Sequence, residues 1–330
     1  MFRKTLILTL LITLLAACAP AQTAPTVDSA PTEIALTEAV TAEATAEESA
    51  PALTFTDGLG REVTLAASAQ RIVTLAPSLT EFVFAVGAGS QLVGRDDLSD
   101  FPAEAADIAS IGSTFGALNT EAILALEPDL VLAAEINTPE QVSELEGLGL
   151  TVYYLPNPLT YDELYGQVNL FGQLTGHEEE ASELAESLAA RVEAVDSAVA
   201  NAAEKPTVFY EIDGTDPSKP WTTGPGTFMD TMITMAGGVN IGGVLSDAFA
   251  QISAEEIVAQ NPDIIILGDT LYGITIESVG ERPGWADLTA VKENRIFAFD
   301  DNLATRPGPR LVDGLEELLK ILHPELVVSQ

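Results

Sequence analysis

Cysteine occurs once in the 330 residues, as Cys18. No disulfide can therefore form within the chain. Histidine occurs twice, as His177 and His323, far apart in sequence. A zinc site built on three histidines, or on a cysteine–histidine cluster, is excluded. Basic residues are scarce: 14 Lys and Arg stand against 50 Asp and Glu, a net charge of -36. Such a chain is a poor partner for nucleic acid, because phosphate binding needs clustered Lys and Arg. No G-x-x-x-x-G-K-[ST] phosphate loop, strand-linked G-x-G-x-x-G or G-x-S-x-G nucleophile turn occurs. Neither histidine is placed as a general base, and carboxylate pairs carry little information in so acidic a chain. Most enzyme classes are thereby removed.

What is present begins with a leader. Residues 1–17 open M-F-R-K and run apolar from Thr5 to Ala17. Two positive charges before a short apolar run read as a signal peptide. Its thirteen apolar-run residues fall short of the roughly twenty that span a bilayer. The run ends Leu15-Ala16-Ala17-Cys18, which resembles a bacterial lipobox. That resemblance implies that Cys18 is lipidated and becomes the mature N-terminus. Residues 18–52 are Cys18 and then a stretch dominated by Ala, Thr, Glu, Pro and Ser, with no aromatic, Lys or Arg. Such a composition cannot bury enough apolar surface to offset its ordering entropy. We read it as an acidic, disordered tether with an r.m.s. span of about 30 Å. Without the tether's six acids and the leader's two bases, the body keeps 44 acids and 12 bases.

The body alternates strands and helices after an opening hairpin, Leu53–Thr56 and Arg61–Leu65 about a D-G turn. Strands are expected at 71–76, 129–134, 150–155, 207–212, 263–267 and 295–299. Helices are expected at 78–86, 119–126, 138–148, 160–174, 228–236, 254–260 and 309–322. Ser78 and Glu81 have the spacing of a capping box. Alternation of this kind argues for mostly parallel sheets covered on both faces. Between the halves lies an unusually regular helix, 177–203. Its apolar stripe is Ala181, Leu184, Leu188, Val192, Val195 and Val199. We therefore expect an α/β fold of two Rossmann-like lobes, residues 53–176 and 205–330. One long rigid helix, residues 177–204, should join them.

A repeat relates the lobes. T-E-A-I-L-A-L-E-P-D-L-V-L-A-A from Thr120 matches A-E-E-I-V-A-Q-N-P-D-I-I-I-L-G from Ala254. Each unit reads as a short helix, a Pro-Asp turn and a buried strand. Two like lobes joined by a helix leave a cleft, a favoured ligand site.

With F-T-D-G-L-G-R-E-V-T-L, R-I-V-T-L-A-P-S-L-T-E, the paired E-x-I-x-A-x-x-P-D turns and P-G-W-A-D-L-T-A-V-K-E-N-R-I-F, the chain resembles a known family. It is similar to substrate-binding lipoproteins of ABC importers, the helical-backbone group that binds ferric siderophores, haem or cobalamin. The resemblance spans 53–324. It implies a non-enzymatic, monomeric binding protein, lipid-anchored outside the cytoplasmic membrane. Such a protein would deliver a metal chelate to a permease dimer driven by a cytoplasmic ATPase, with no cofactor or metal of its own. Glu121 and Glu255, one per repeat, match the acids that dock such proteins onto permease arginines.

Comparison with cobalamin-binding members implies cleft positions for Phe115, Trp221, Phe249 and Arg306, whereas Leu98 and Ala134 stand where those members have aromatics. Arg95 and Tyr272 are further cleft candidates from their places near strand ends. Trp285 and Arg310 are read as structural. A triply anionic catecholate siderophore wants several cations, which this chain lacks; a hydroxamate, citrate-like or corrinoid ligand fits better. The competing classes are a ligand sensor, a two-lobed enzyme and a zinc or manganese receptor, the last disfavoured by two histidines.

Overall fold

The computed structural model describes residues 52–326. The leader, Cys18 and the tether lie outside them. The opening hairpin pairs β1 (Leu53–Thr56) with β2 (Glu62–Leu65). The Asp57 carboxylate stabilises its turn by accepting the Leu59 and Arg61 amides. Gly58 N donates to Tyr154 O, which ties the hairpin to the first lobe.

That lobe is a four-stranded, all-parallel sheet. Its strands are β3 (Ile72–Thr74), β4 (Leu92–Arg95), β5 (Leu130–Ala134) and β6 (Val152–Leu155), in the order β4-β3-β5-β6. The helices between them are α1 (Pro77–Ala85), α2 (Thr120–Ala125) and α3 (Pro139–Gly147). Asn119 and Thr138 cap the last two, Thr138 in a capping box with Gln141. The expected Ser78–Glu81 box is corrected: α1 starts at Pro77 behind Ala76, with no side-chain cap. Glu81 is buried instead and is used elsewhere.

Next, α4 (Tyr161–Thr175) and α5 (Glu178–Val199) form an antiparallel pair about Gly176. A Cβ at Gly172 would lie 2.5 Å from the Ala181 Cβ, so glycine permits this close packing. The 22 residues of α5 span about 33 Å. The helix ends at Val199, short of the expected residue 203. Ala181, Ala185, Leu188, Val192 and Val195 form its buried stripe.

The sheet of the second lobe is mixed, parallel at its centre with antiparallel strands added at one side. β7 (Thr207–Asp213), β11 (Ile264–Leu267) and β12 (Ile296–Ala298) run parallel. The short β9 (Val239–Asn240) also runs parallel to β7. On the other side, β8 (Trp221–Thr223) and β10 (Phe249–Gln251) add antiparallel edges. Its main helices are α6 (Phe228–Met235), α7 (Ala254–Gln260) and, after three short ones, the closing helix Leu311–Leu322.

Alternate residues of each central strand enter different cores, as a two-sided strand requires. Leu130, Leu132, Ile264 and Ile266 join one apolar core shared by both lobes, α4, α5, α6 and the closing helix. Val131 and Ala133 face a core private to the first lobe. Ile265 and Leu267 face one private to the second, around the fully buried Trp285.

Candidate functional site

The carboxyl ends of the parallel strands are where open α/β sheets place their ligand crevices. In the first lobe, Thr74, Thr80, Ser99 and Asp96 form a buried hydrogen-bonded chain there. In the second, Arg282 bridges Glu211 through both carboxylate oxygens, at 2.5 and 2.7 Å. The Tyr210 hydroxyl donates to Asp301. A Cβ at Gly268 would come within 2.5 Å of that hydroxyl, so glycine lets the pair pass the end of β11. Burial pushes the Asp96, Glu211, Asp269 and Asp301 carboxyls above the usual carboxylate range.

Between the lobes lies a cavity of about 320 Å³. Glu135, Asn157 and Leu159 wall it from the first lobe; Phe249, Phe228 and Asp301 wall it from the second. The same Glu135, Asn157 and Leu159 also wall a recess of about 520 Å³, closed by Asp57, Tyr153 and Gln167 of the first lobe. Ile212 is likewise shared with a third cavity of about 360 Å³, lined by Asp213, Asp269 and Tyr272. The crevice is thus a linked set of hollows with apolar walls and carboxylates at intervals, the composition of a small-molecule site.

Of the residues expected there, Phe249 lines the central cavity and Tyr272 the third. Trp221 lies on the same face of the β8–β10 ribbon as Phe249, by its register opposite Gln251. Phe115 is exposed beyond the carboxyl edge of β4, where residues 109–112 add a parallel rung through Arg95 and Asp97. Gln141 secures that loop by donating to Thr114 O and Gly116 O.

The two arginines are placed differently. Arg95 donates to Ala105 O at 2.7 Å and Asp96 O at 2.8 Å. Arg306 reaches across the lobes to Asp100 at 2.5 Å and Glu81 at 3.4 Å. Arg310 is bound to Glu81 and stacks over Phe101. Leu159, Glu135, Asp269 and Asp301 were not anticipated. Their positions just past β6, β5, β11 and β12 were the available signal.

The repeat is reproduced in three dimensions. Glu127 and Asn261 both take positive φ, 46° and 47°. Asp129 accepts the Gln70 and Arg71 amides before β3, and Asp263 accepts the Thr207 amide at the start of β7. Glu121 and Glu255 fall in the first turns of α2 and α7. Both are exposed, and neither forms an ion pair among the described residues. One helical turn on, Leu124 and Val258 are equally exposed.

Residues 72–303 match the model of a family described as periplasmic binding protein. The chain belongs to the periplasmic binding protein family. It is 31% identical over 278 residues to the ABC transporter substrate-binding lipoprotein YvrC of Bacillus subtilis, covering 83% of this chain and 86% of that one. It is 28% identical to a cobalamin-binding protein of Halobacterium salinarum, over 82% of this chain and 74% of the other. Among solved structures, the periplasmic haem-binding protein RhuT from Roseiflexus sp. RS-1 superposes with a TM-score of 0.70 at 28% identity, covering 78% of this chain and all of that one. This periplasmic binding protein is a binding component of two-lobed α/β architecture and not an enzyme.

Proposed function

We propose that the protein is the extracytoplasmic substrate-binding component of an ABC importer, and that it captures a metal chelate of the siderophore, haem or cobalamin kind in the inter-lobe crevice. The observation that carries this reading is the crevice itself: Phe249 and Leu159 face one cavity from opposite lobes. Apolar side chains of both lobes can so grip a bulky solute while backbone and carboxylate groups orient it. The relatives described above support the class of ligand.

Cys18 would carry the lipid that holds the protein at the membrane, and residues 19–52 would let the body turn above it. Glu121 and Glu255 would seat it on a symmetric permease, each carboxylate fixing the register of one lobe. Charge at such contacts sets orientation more than affinity. The protein would act as a monomer without a cofactor of its own. The lobes share one core and an α5–closing-helix clamp, Arg191 to Asp313 at 2.6 Å and Glu316 at 2.7 Å. Closure on the ligand would therefore be small.

The test is a calorimetric titration of the full chain, in mild detergent, with cyanocobalamin, haemin and several ferric siderophores, and with free ferric and zinc ions as controls. Saturable binding of one chelate, with none of the free ions, is the expected result. Silence with every chelate would overturn the reading.

A further inference from the structure

We propose, resting on the chelate-binding reading above, that the crevice accepts only chelates of zero or positive net charge that carry N–H donors, and that Asp269 receives one of those donors. An anionic ligand needs an unspent cation, and among the described residues the crevice offers no arginine for the purpose. Arg306 and Arg310 are bound to Asp100 and Glu81. Arg282 is spent on Glu211 and lies 4.6 Å from the centre of the Trp285 ring. Arg95 is turned to backbone carbonyls. Lys219, on the β7–β8 loop, is exposed and shares that loop with Asp216, which follows Asp213 at the end of β7.

The carboxylates are the groups left facing the hollows: Glu135 and Asp301 on the central cavity, Asp213 and Asp269 on the third. Propionates, citrate carboxylates or catecholates brought among them would meet like charge, at a cost that the low dielectric of the crevice enlarges. This removes the citrate-like chelates that the sequence alone left open.

Asp269 is the second and independent indication. Its residue is only 2% exposed. Oδ2 accepts the Gly214 amide at 2.7 Å, while buried Oδ1 has no hydrogen-bond partner among the described residues. Both oxygens of the neighbouring Glu211 already face Arg282. In the first-lobe recess, Gln167 repeats the pattern: Nε2 donates to Pro156 O, and Oε1 is buried and unpartnered. A buried acceptor without a donor is costly, and a ligand amide or ammonium relieves that cost. Neutral corrinoids with their ring of amides and hydroxamate chelates with an ammonium tail have this chemistry.

The test uses the full chain and calorimetry with ferrioxamine B as the cation, its N-acetyl derivative and cyanocobalamin as neutral chelates, and haemin, ferric dicitrate and ferric enterobactin as anions. A neutral or cationic chelate should bind at least ~100-fold more tightly than any anion, the size expected for like-charge juxtaposition. Asp269→Asn should weaken that chelate at least ~10-fold, since an acceptor facing a donor becomes a donor. Asp216→Asn, on the exposed loop, should leave it unchanged. If Asp269→Asn does not fold, Asp213→Asn takes its place. That variant should weaken the cation more than its acetylated form.

An anion that binds as tightly as the best neutral chelate overturns the proposal and leaves the chelate-binding reading standing. So does unchanged affinity in folded Asp269→Asn, which would mean that Asp269 and Glu211 share a proton between themselves. Failure of every chelate to bind overturns both.

Discussion

Glu81 of the first lobe and Arg310 of the second form a two-pronged ion pair across the lobe boundary, with Nε to Oε2 at 2.8 Å and Nη2 to Oε1 at 2.6 Å. The carboxylate side chain is 2% exposed and the guanidinium 13%. Removing one partner of such a pair strands the other in a dry site. Glu81→Ala should therefore cost about 3 kcal/mol of stability, measured by urea unfolding. Glu81→Met combined with Arg310→Met should recover part of that loss, because no charge is then left unpaired. A single-mutant loss below ~1 kcal/mol would mean that the pair behaves as a solvated surface contact.

Replacing Glu121 and Glu255 together by Ala should bring chelate uptake into cells to background. The calorimetric affinity for the chelate should change by less than about twofold, since charges of this kind set docking register. Wild-type uptake by the double variant would remove the docking role and favour a sensor over a transporter subunit.

Stability should depend on pH in two opposed ways. Asp96, Glu211, Asp269 and Asp301 are raised by burial. Their contribution is fully present below the unfolded carboxylate pKa and is lost as pH rises through the folded values. Asp57 and Asp100 are pushed up by burial but held lower overall by Arg61 and Arg306. Hydrogen bonds from Arg191 hold Glu316 low. Their contribution is present above the unfolded value and is lost as pH falls through the folded ones. The urea midpoint should climb as pH drops from 7 towards about 5, then fall below about pH 4. Asp301→Asn should flatten the climb. A midpoint that declines steadily from pH 7 downward would contradict this balance.

Salt should stabilise the body. Its 44 acids against 12 bases repel one another, and at 1 M salt the screening length contracts to about 3 Å. The melting temperature should rise with added potassium chloride at neutral pH. It should rise less at pH 5, where part of the acid is neutralised. No response to salt would show that the acids are already balanced locally.

Much of the scaffold was readable because local and tertiary signals agree. Ala254–Gln260 begins behind its Ser253 cap and ends at left-handed Asn261, and the short, β-branched run Ile264–Leu267 between Pro262 and Gly268 reads as a buried strand. Leu92–Arg95 went unread because Gly94 resembles a loop residue. Its missing side chain is a packing need, since a Cβ there would lie 2.5 Å from Leu126 Cδ1. Trp221–Thr223 and Phe249–Gln251 are too short to show a period, and they pair with each other at the edge of the second sheet. In the crevice, Phe115, Trp221 and Phe249 were legible only through the resemblance to cobalamin-binding proteins, because sequence alone does not separate an exposed aromatic from a core one. The state of the arginines was not. Arg306 reads as a cleft residue until its partners, 206 and 225 positions away in sequence, are brought beside it. The Ser78–Glu81 spacing failed for the same reason, because a distant guanidinium outbids a local amide for Glu81.

The shared core has a consequence for how the molecule comes apart. Neither sheet closes its inner face alone: residues from Val63 to Leu322 meet in one cluster, with α5 running through it. The lobes should accordingly melt in a single cooperative transition, and a chain severed at Gly176 should yield no folded half. Occupancy of the crevice is then linked to the global unfolding equilibrium. One thermal-shift screen reports a bound solute wherever in the crevice it sits, by about 2.7 kcal/mol at a hundredfold excess over Kd.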